Sequence, residues 1–459
     1  MTEIREYPVA KGLKVKITIE ENPFQIEPDR LFKMAARINK KRSFLFVSPV
    51  LGKHLPVNPS VSLLIGRALA LIYSGQIDGY QKEIREVLNE QDAQKEFNIE
   101  QLKDAVVTLD RPITVIGFCE TATALGQAFF ESFASPARYI HTTREELADR
   151  QSILSFEEEH SHATAHRVYA AEADFFNDET EVILVDDEVT TGKTNLNIIR
   201  DIIRMYPQKK QFTIVSILDW RNEENQQAFR ELEQELGIQI NEVSLLKGTV
   251  EEIGKVEELK EDSFITDREL SALMLQQPFK KMLPKLACSL PAVMKDEKVE
   301  RPAYLTATGR FGLTETQYEE ELLVQIGAQL KSLRQGGPTL VLGTGEFMYV
   351  PMRIASLMGE NVLFHTTTRS PILSRSQAGY PIFNKRAFPS PEQSGVTNYV
   401  YGIPKEDGYR DIFVVFERIA DREGLHELNR TLKTIQDANI YFVDLTSRAV
   451  YRSVIGRSK

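Results

Sequence analysis

The sequence predicts an α/β protein built on mostly parallel sheets and divided into two units. Three observations lead there. Short continuous apolar runs such as ITVIG (113–117), VILV (182–185) and TIVSIL (213–218) each run into a polar loop and then a helical pattern, the alternation expected of parallel strands covered by helices on both faces. At 459 residues the chain exceeds one ordinary core. The rhythm also lapses across 251–300 and resumes with TLVLG (339–343), NVLFH (361–365), DIFVVF (411–416) and IYFVDL (440–445).

In chain order, SFLFVSPV (43–50) reads as a strand, LGKHLPVNP (51–59) as a loop and SLLIGRALALIYSG (62–75) as an apolar helix. These elements and the strands at 113, 182 and 213 make a first unit, 1–250. Residues 251–300 are charge-dense, then proline-interrupted, and are expected to be a connector with some helix. Residues 301–459 form the second α/β unit. The net charge of −10 argues against a generic nucleic-acid binder, although Lys40-Lys41-Arg42 is a local basic strip. Two cysteines, Cys119 and Cys288, provide neither a disulfide framework nor a CxxC metal cluster. No run approaches a membrane span and MTEIREYPVAKG has no signal core, so a cytoplasmic protein is expected, without membrane partners.

The most informative stretch is VILVDDEVTTGKT (182–194). A buried strand delivers Asp186 and Asp187 to its carboxyl end, and Thr190, Thr191, Gly192, Lys193 and Thr194 wrap into a helix. Helix N-terminal amides, a glycine permitting close approach and threonine hydroxyls suit a phosphate monoester. Adjacent carboxylates accept from vicinal hydroxyls. Together they describe a ribose 5-phosphate. A nucleoside-triphosphate loop would need a glycine at the position of Asp187, where a carboxylate repels phosphates. An ordinary strand end with a capped helix would explain one hydroxyl, but not two acids and a glycine in series.

VILVDDEVTTGKT resembles the thirteen-residue signature of type I phosphoribosyltransferases, departing from it at Glu188, where an apolar or small residue is usual. The departure implies either altered packing beneath the acids or a further polar contact. The resemblance implies a Rossmann-like fold that binds phosphoribosyl pyrophosphate, with Asp186 and Asp187 on the ribose 2- and 3-hydroxyls and 190–194 on the 5-phosphate. GFCETATALG (117–126) looks like the pyrophosphate loop, drawing on Gly117, Phe118, Cys119, Glu120, Thr121, Ala122 and Thr123. Arg144 stands where similar enzymes keep a cationic pyrophosphate contact. SFEEEHSHATAHRVY (155–169) would be a lid carrying His160, His162, His166 and Arg167; three close histidines could instead hold a metal, but their spacing matches no familiar zinc pattern. Magnesium is expected on ligand oxygens near Asp186 and Asp187, with no dedicated cage. The general base is open between the lid histidines and His54.

The front stretch 22–57, the acid pair in DDEVTTGKT and the C-terminal FHTTTRSPI (364–372) narrow the resemblance to an orotate-type phosphoribosyltransferase joined to a TRSP domain, a pair associated with bacterial tellurium-resistance and stress-response gene clusters. That implies a nucleotide-like metabolite made or cleaved, with the acceptor unnamed. Related enzymes often dimerise, so a homodimer is one expected assembly. Acceptor contacts would come from Lys53 and His54 in the hood and from Asp219 and Trp220, the tryptophan either stacking on a planar acceptor or simply packing.

By eye, the second unit repeats the first: Gly117 to His141 spans 24 residues and Gly343 to His365 spans 22. Phe416 and Glu417 stand where the acids would be. The second unit is therefore read as a degenerate phosphoribosyltransferase-like repeat keeping an anion site at Arg310, Gly343, Gly345, His365, Thr367, Thr368, Arg369 and Ser370, an idea that requires the two strand orders to agree. Two functional classes follow: an active transferase, or a sensor that binds a phosphoribosyl ligand or nucleotide without turnover. Cys119, with no cationic neighbour in sequence, is expected to be inert.

Overall fold

Strands whose residues are apolar on both faces must be covered on both faces, and this chain contains two sets of them. The computed structural model describes residues 3–37, 42–90, 107–134, 136–156, 166–172, 174–255, 272–278, 287–295, 297–306, 308–314, 320–377, 379–403 and 408–455. The first sheet contains β1 (Glu3–Ala10), β2 (Leu13–Glu21), β3 (Ile113–Gly117), β4 (Ala137–His141), β5 (Glu181–Val189), β6 (Gln211–Asp219) and β7 (Gln239–Gly254), in the order β1-β2-β7-β6-β5-β3-β4. From β7 to β4 every neighbouring pair is parallel, whereas β1 and β2 form an antiparallel hairpin added to β7. All five residues of β3 are buried, as a doubly covered strand requires.

Helix α1 (Pro59–Tyr73) begins at an Asn58 cap and lies against α2 (Ala122–Phe130), which follows β3. Their approach is close because Gly66 has no Cβ; one would sit 2.6 Å from the Ala128 main chain. α3 (Lys193–Met205) and α4 (Glu223–Leu236) follow β5 and β6. The expected N-terminal hood includes a hairpin, Lys33–Ala36 against Phe44–Val47, that leads into the 47–56 segment with Lys53 and His54.

The second sheet contains β8 (Ala272–Pro278), β9 (Thr339–Thr344), β10 (Val362–Thr367), β11 (Asp411–Phe416), β12 (Asn439–Asp444) and β13 (Ala449–Ile455), in the order β8-β13-β12-β11-β9-β10. Read from its first central strand, it runs 5-4-3-1-2, as does the first sheet from β7 to β4. The two strand orders agree. Here only β12 to β10 are parallel, and β13 runs antiparallel to β12. Helices α5 (Glu320–Lys331), α6 (Tyr349–Ser356) and α7 (Arg422–Ile435) complete the unit, and α6 packs against α2 of the first.

Of the connector, residues 256–271, 279–286 and 296, with any expected helix within them, lie outside the described ones. Its described residues form strands rather than helix: β8 pairs with β13, Ala287–Ser289 with Ala303–Leu305, and Ala292–Val293 with Glu146–Leu147 of the first unit. Its prolines and lack of helical periodicity leave extended backbone, whose polar groups are satisfied by pairing.

Each unit closes the open edge of the other. Tyr139 on β4 exchanges both main-chain hydrogen bonds with Leu313 (2.8 and 2.7 Å), and His141 N donates to Gly309 O at 2.8 Å. Phe364 on β10 exchanges both with Val57 (2.8 and 2.9 Å). Tyr139 and Phe364 hold equivalent register positions, opposite Val115 and Val341. Gly309 lies on the Tyr139 ring and Gly52 on the Phe364 ring, where an added Cβ on Gly52 would fall 2.6 Å from the ring. One continuous core accordingly includes Val115 and Leu125 from the first unit and Met348, Val350 and Phe364 from the second. No helix among the described residues is long and apolar enough to cross a membrane.

Replacing Gly309 by Ala is expected to push the crossing strip off β4 and to lower stability by about 1–3 kcal/mol, measured by urea unfolding. A loss below about 0.5 kcal/mol, the level of an ordinary surface substitution, would mean that the strip is not held by that close contact.

Candidate phosphate and sugar site

Strand β5 does not stop at Val185 but runs to Val189, because Asp186, Glu188 and Val189 remain paired with Ser216, Leu218 and Asp219 of β6. Side chains alternate along a strand, so Asp186 and Glu188 share one side and Asp187 takes the other. All three are half-buried. Asp186 Oδ1 accepts from Asp187 N at 2.9 Å. Glu188 adds a polar contact: Arg42 Nη2 from the hood lies 2.7 Å from its Oε1, and the same guanidinium covers the Phe44 ring at 4.6 Å. Burial pushes the Glu188 carboxyl up, Arg42 opposes this and Asp187 adds to it.

Beyond the acids, Gly192 adopts φ 72° at the N-cap of α3 and lies against the Phe229 ring, where a Cβ would fall 2.5 Å from it. Only glycine meets both conditions without strain. Thr190, Thr191 and Thr194 are half-buried and Lys193 is exposed, so the cradle is open to solvent. Arg221 supports it from beneath, stacking on Phe229 at 4.4 Å while bound to Asp219 (2.9 and 2.5 Å) and Glu242 (2.7 Å). Asp219 is therefore engaged within the fold rather than turned to an acceptor. Trp220 is likewise unavailable for stacking: it is 4% exposed, stacked on Phe46 at 5.1 Å and edge-on to Phe32 at 5.7 Å. The hood's aromatic residues cover it, and the indole fixes the hood to the sheet.

The adjacent loop 117–123 leaves β3 beside β5, with Gly117 opposite Val185. Phe118 N donates to Val185 O (3.1 Å) and Cys119 N to Thr142 Oγ1 (2.9 Å); the Cys119–Glu120 peptide is cis. Lys53, expected at the acceptor, reaches this loop instead, donating from Nζ to Thr121 Oγ1 at 2.5 Å. Thr123 Oγ1 lies within hydrogen-bond distance of Glu120 O (2.8 Å) and Glu346 O (3.0 Å), and Ala122 opens α2. Cys119 Sγ lies 3.5 Å from His166 Nδ1, and burial, then Glu346, pushes the thiol up, the surroundings of an inert cysteine. His54 is buried edge-on to Tyr401, and burial holds its imidazole low.

The expected lid begins as a hairpin, Leu154–Phe156 against His166–Val168, with His166 buried on Phe156 and Arg167 paired to Glu146. His160 and His162, like Lys40 and Lys41, lie outside the described residues. Among the described residues no group of three or more His, Cys, Asp or Glu is placed to hold a metal ion.

The two units meet at this loop by exchanging glutamates. Glu120 accepts from Thr368 Oγ1 (2.5 Å) and Arg369 N (3.3 Å) of the second unit; Glu346 accepts from Thr143 Oγ1 (2.6 Å) and Arg144 N (2.7 Å) of the first. Register makes the exchange symmetric. Gly117 faces His141 and Gly343 faces Thr366, so Thr143 corresponds to Thr368 and Arg144 to Arg369. The alignment by eye is thus one residue off at the histidines: His365 corresponds to Ile140, points to the other face, and lies buried 2.8 Å from both Gly52 O and Tyr401 O.

The residues expected to keep a separate anion site do not form an open one. Arg310 is buried against Glu417 (2.9 and 2.7 Å), with Glu145 at 3.5 Å and Glu346 at 3.8 Å. Thr368 is bound to Glu120, Thr367 is fully buried and Ser370 N donates to Thr368 Oγ1 at 3.1 Å. Arg369 Nη2 donates to Gln393 Oε1 at 2.8 Å; Gly343 is enclosed by Phe347, while Gly345, at φ 52°, has open space at its Cα. The Gly-x-x-Glu common to both halves was visible in the sequence, but its glutamate acting across the interface was not.

Residues 31–249 match a family model described as phosphoribosyl transferase, and residues 307–432 match one described as the TRSP domain C-terminal to it. No curated protein matches the chain. Solved structures similar to it include adenine phosphoribosyl transferase from Trypanosoma brucei, in complex with AMP, pyrophosphate and ribose-5-phosphate (13% identity, 50% of this chain and 82% of that one, TM-score 0.28). Orotate phosphoribosyltransferase from Aeropyrum pernix is similar at 13% identity, over 48% of this chain and 89% of that one, with TM-score 0.24.

Burial would raise the Glu120 carboxyl, but Lys53, Arg144, Arg369 and the Thr368 hydroxyl together hold it below its ordinary value. Between that lowered value and about 4.3 the unfolded chain binds more protons, so stability falls as pH drops through this window. Glu120→Gln is expected to flatten that acid limb and to cost about 1–3 kcal/mol at neutral pH, read by urea unfolding as a function of pH.

Proposed function

The chain belongs to the family in which a phosphoribosyl transferase domain is followed by a TRSP domain, and from that premise we propose that it uses phosphoribosyl pyrophosphate with magnesium to make, or in reverse to cleave, a nucleotide-like ribosyl phosphate. One observation carries this reading: the half-buried acids at the end of β5 run directly into an open Gly192 cradle, with the loop after β3 alongside.

In this reading Asp186 and Asp187 hold the ribose hydroxyls, and the amides opening α3 with Thr190, Thr191 and Thr194 hold the 5-phosphate. The 117–123 loop, with Lys53 and Arg144 beside it, takes the pyrophosphate. The bond from the sugar's anomeric carbon to pyrophosphate breaks with its electron pair leaving on pyrophosphate, and the acceptor's lone pair forms the new bond. Positive charge grows on the sugar as it does so, next to two carboxylates. Asp186 and Asp187 are hard oxygen donors and fit a magnesium ion that keeps most of its ligands from substrate and water; when bound it supplies charge neutralisation of the leaving group. The hood's Arg42–Glu188 pair fixes the wall over the acids, and the acceptor enters on that side. A cytoplasmic setting and a stress-response role belong to the same reading.

Calorimetry with phosphoribosyl pyrophosphate and magnesium tests it. The intact protein is expected to bind, and Asp187→Asn to bind about 10- to 100-fold more weakly, the effect of losing one charge-assisted contact of about 1.5–3 kcal/mol. No binding by the intact protein, or equal binding by the variant, would sink the assignment.

A further inference from the structure

The second unit stands against the first as a second copy would. Its edge strand, its loop glutamate and its Thr-Arg strand end each meet their counterparts across the interface. Yet the two halves offer different strand ends. At the positions of Asp186 and Asp187 the second half has Phe416 and Glu417, and Glu417 is closed off by Arg310 and Arg418 (2.7 and 3.0 Å). Arg418 is bound in turn to Glu145 at 2.8 and 2.9 Å. Guanidinium groups fill the place where sugar hydroxyls would sit. The pair of half-sites therefore supplies one sugar pocket, in the first unit.

What the second unit can contribute is its strand end. Thr368 and Arg369 are seated on Glu120, inside the very loop that faces the acids, and Arg369 itself is only half-buried, its guanidinium oriented by Gln393. Three cations then surround this loop: Lys53 from the hood, Arg144 from the segment after β4 and Arg369 from across the interface. Two carboxylates, Glu120 and Glu346, stand among them, so three cations still leave a surplus of positive charge, which suits a highly charged anion rather than a neutral group. Arginine matches phosphate oxygens by its planar fork.

We propose that Arg369 of the second unit is an anion-binding residue for the diphosphate end of the ligand, so that the site is a composite of both units. This rests on the reading of the first unit as a phosphoribosyl pyrophosphate site. It assigns the TRSP unit a direct part in binding: it supplies the fixed cation on the far side of the pyrophosphate loop.

The test compares two ligands. Phosphoribosyl pyrophosphate and ribose 5-phosphate are titrated, with magnesium, into the intact chain and its Arg369→Gln and Arg369→Lys variants. The expected result is a 10- to 100-fold (~1.4–2.7 kcal/mol) weaker binding of phosphoribosyl pyrophosphate by Arg369→Gln, partial recovery in Arg369→Lys, and ribose 5-phosphate affinity unchanged within about twofold. Equal weakening of both ligands would assign Arg369 to interface structure alone and overturn the proposal, as would no weakening of either. Failure of the intact chain to bind either ligand would overturn the underlying site reading as well, and is distinguishable because it appears before any variant is made.

Discussion

The arrangement depends on two buried glutamates, each satisfied by the other unit. Glu120 and Glu346 are 4% and 9% exposed, and a carboxylate so enclosed is costly unless hydrogen-bonded and charge-compensated. Glu120 has Lys53 and Arg144 of its own unit near it, but the hydrogen bonds come from across the interface. Each receives a threonine hydroxyl and the following arginine's main-chain N–H from across the interface. Separating the units would remove both sets of hydrogen bonds at once, so the contact fixes a single register between the sheets. The conformation of the loop after β3 follows from it, as does the position of Arg144 and Arg369 around that loop.

The two sheets share a strand order but carry different residue types at the same strand end. Parallel strands of the same order bring the same positions to the same crevice. In the first unit these are Asp186, Asp187 and Glu188, with Glu188 held by Arg42. In the second they are Phe416, Glu417 and Arg418, joined with Arg310, Glu145 and Tyr304 into a closed network in which the Tyr304 hydroxyl donates to Glu145 Oε2 at 2.5 Å and both guanidiniums lie over its ring. Burial would raise the Glu145 carboxyl, but Arg418 and Arg310 hold it well below the usual carboxylate range. The network closes this strand end with buried ion pairs where its counterpart presents three half-buried carboxylates.

Much of this was legible in the sequence because buried parallel strands are written as uninterrupted apolar runs. Every such run read as a strand is one, and the acid pair and Gly192 lie at a strand end and helix start. Local chemistry could not show partners distant in sequence. Lys53 was assigned to the acceptor and lies on the loop after β3; Trp220 was a candidate stacking face and is covered by hood aromatics. The histidines invited an alignment by letter, whereas sheet register placed His365 one residue away and on the opposite face. Strands β1, β2 and β7 escaped notice because their faces differ in polarity and they carry no continuous apolar run.

The crossing strips also bear on how the chain is made. Strand β4 is complete early in synthesis, but Gly309–Leu313, which covers it, emerges from the ribosome only after the rest of the first sheet and the connector. Until then the nascent first half presents an unpaired strand edge, the kind of surface that templates association between chains. Val57, by contrast, is already available when Phe364 arrives. The second half therefore folds onto a waiting partner, and the first must wait for its own completion.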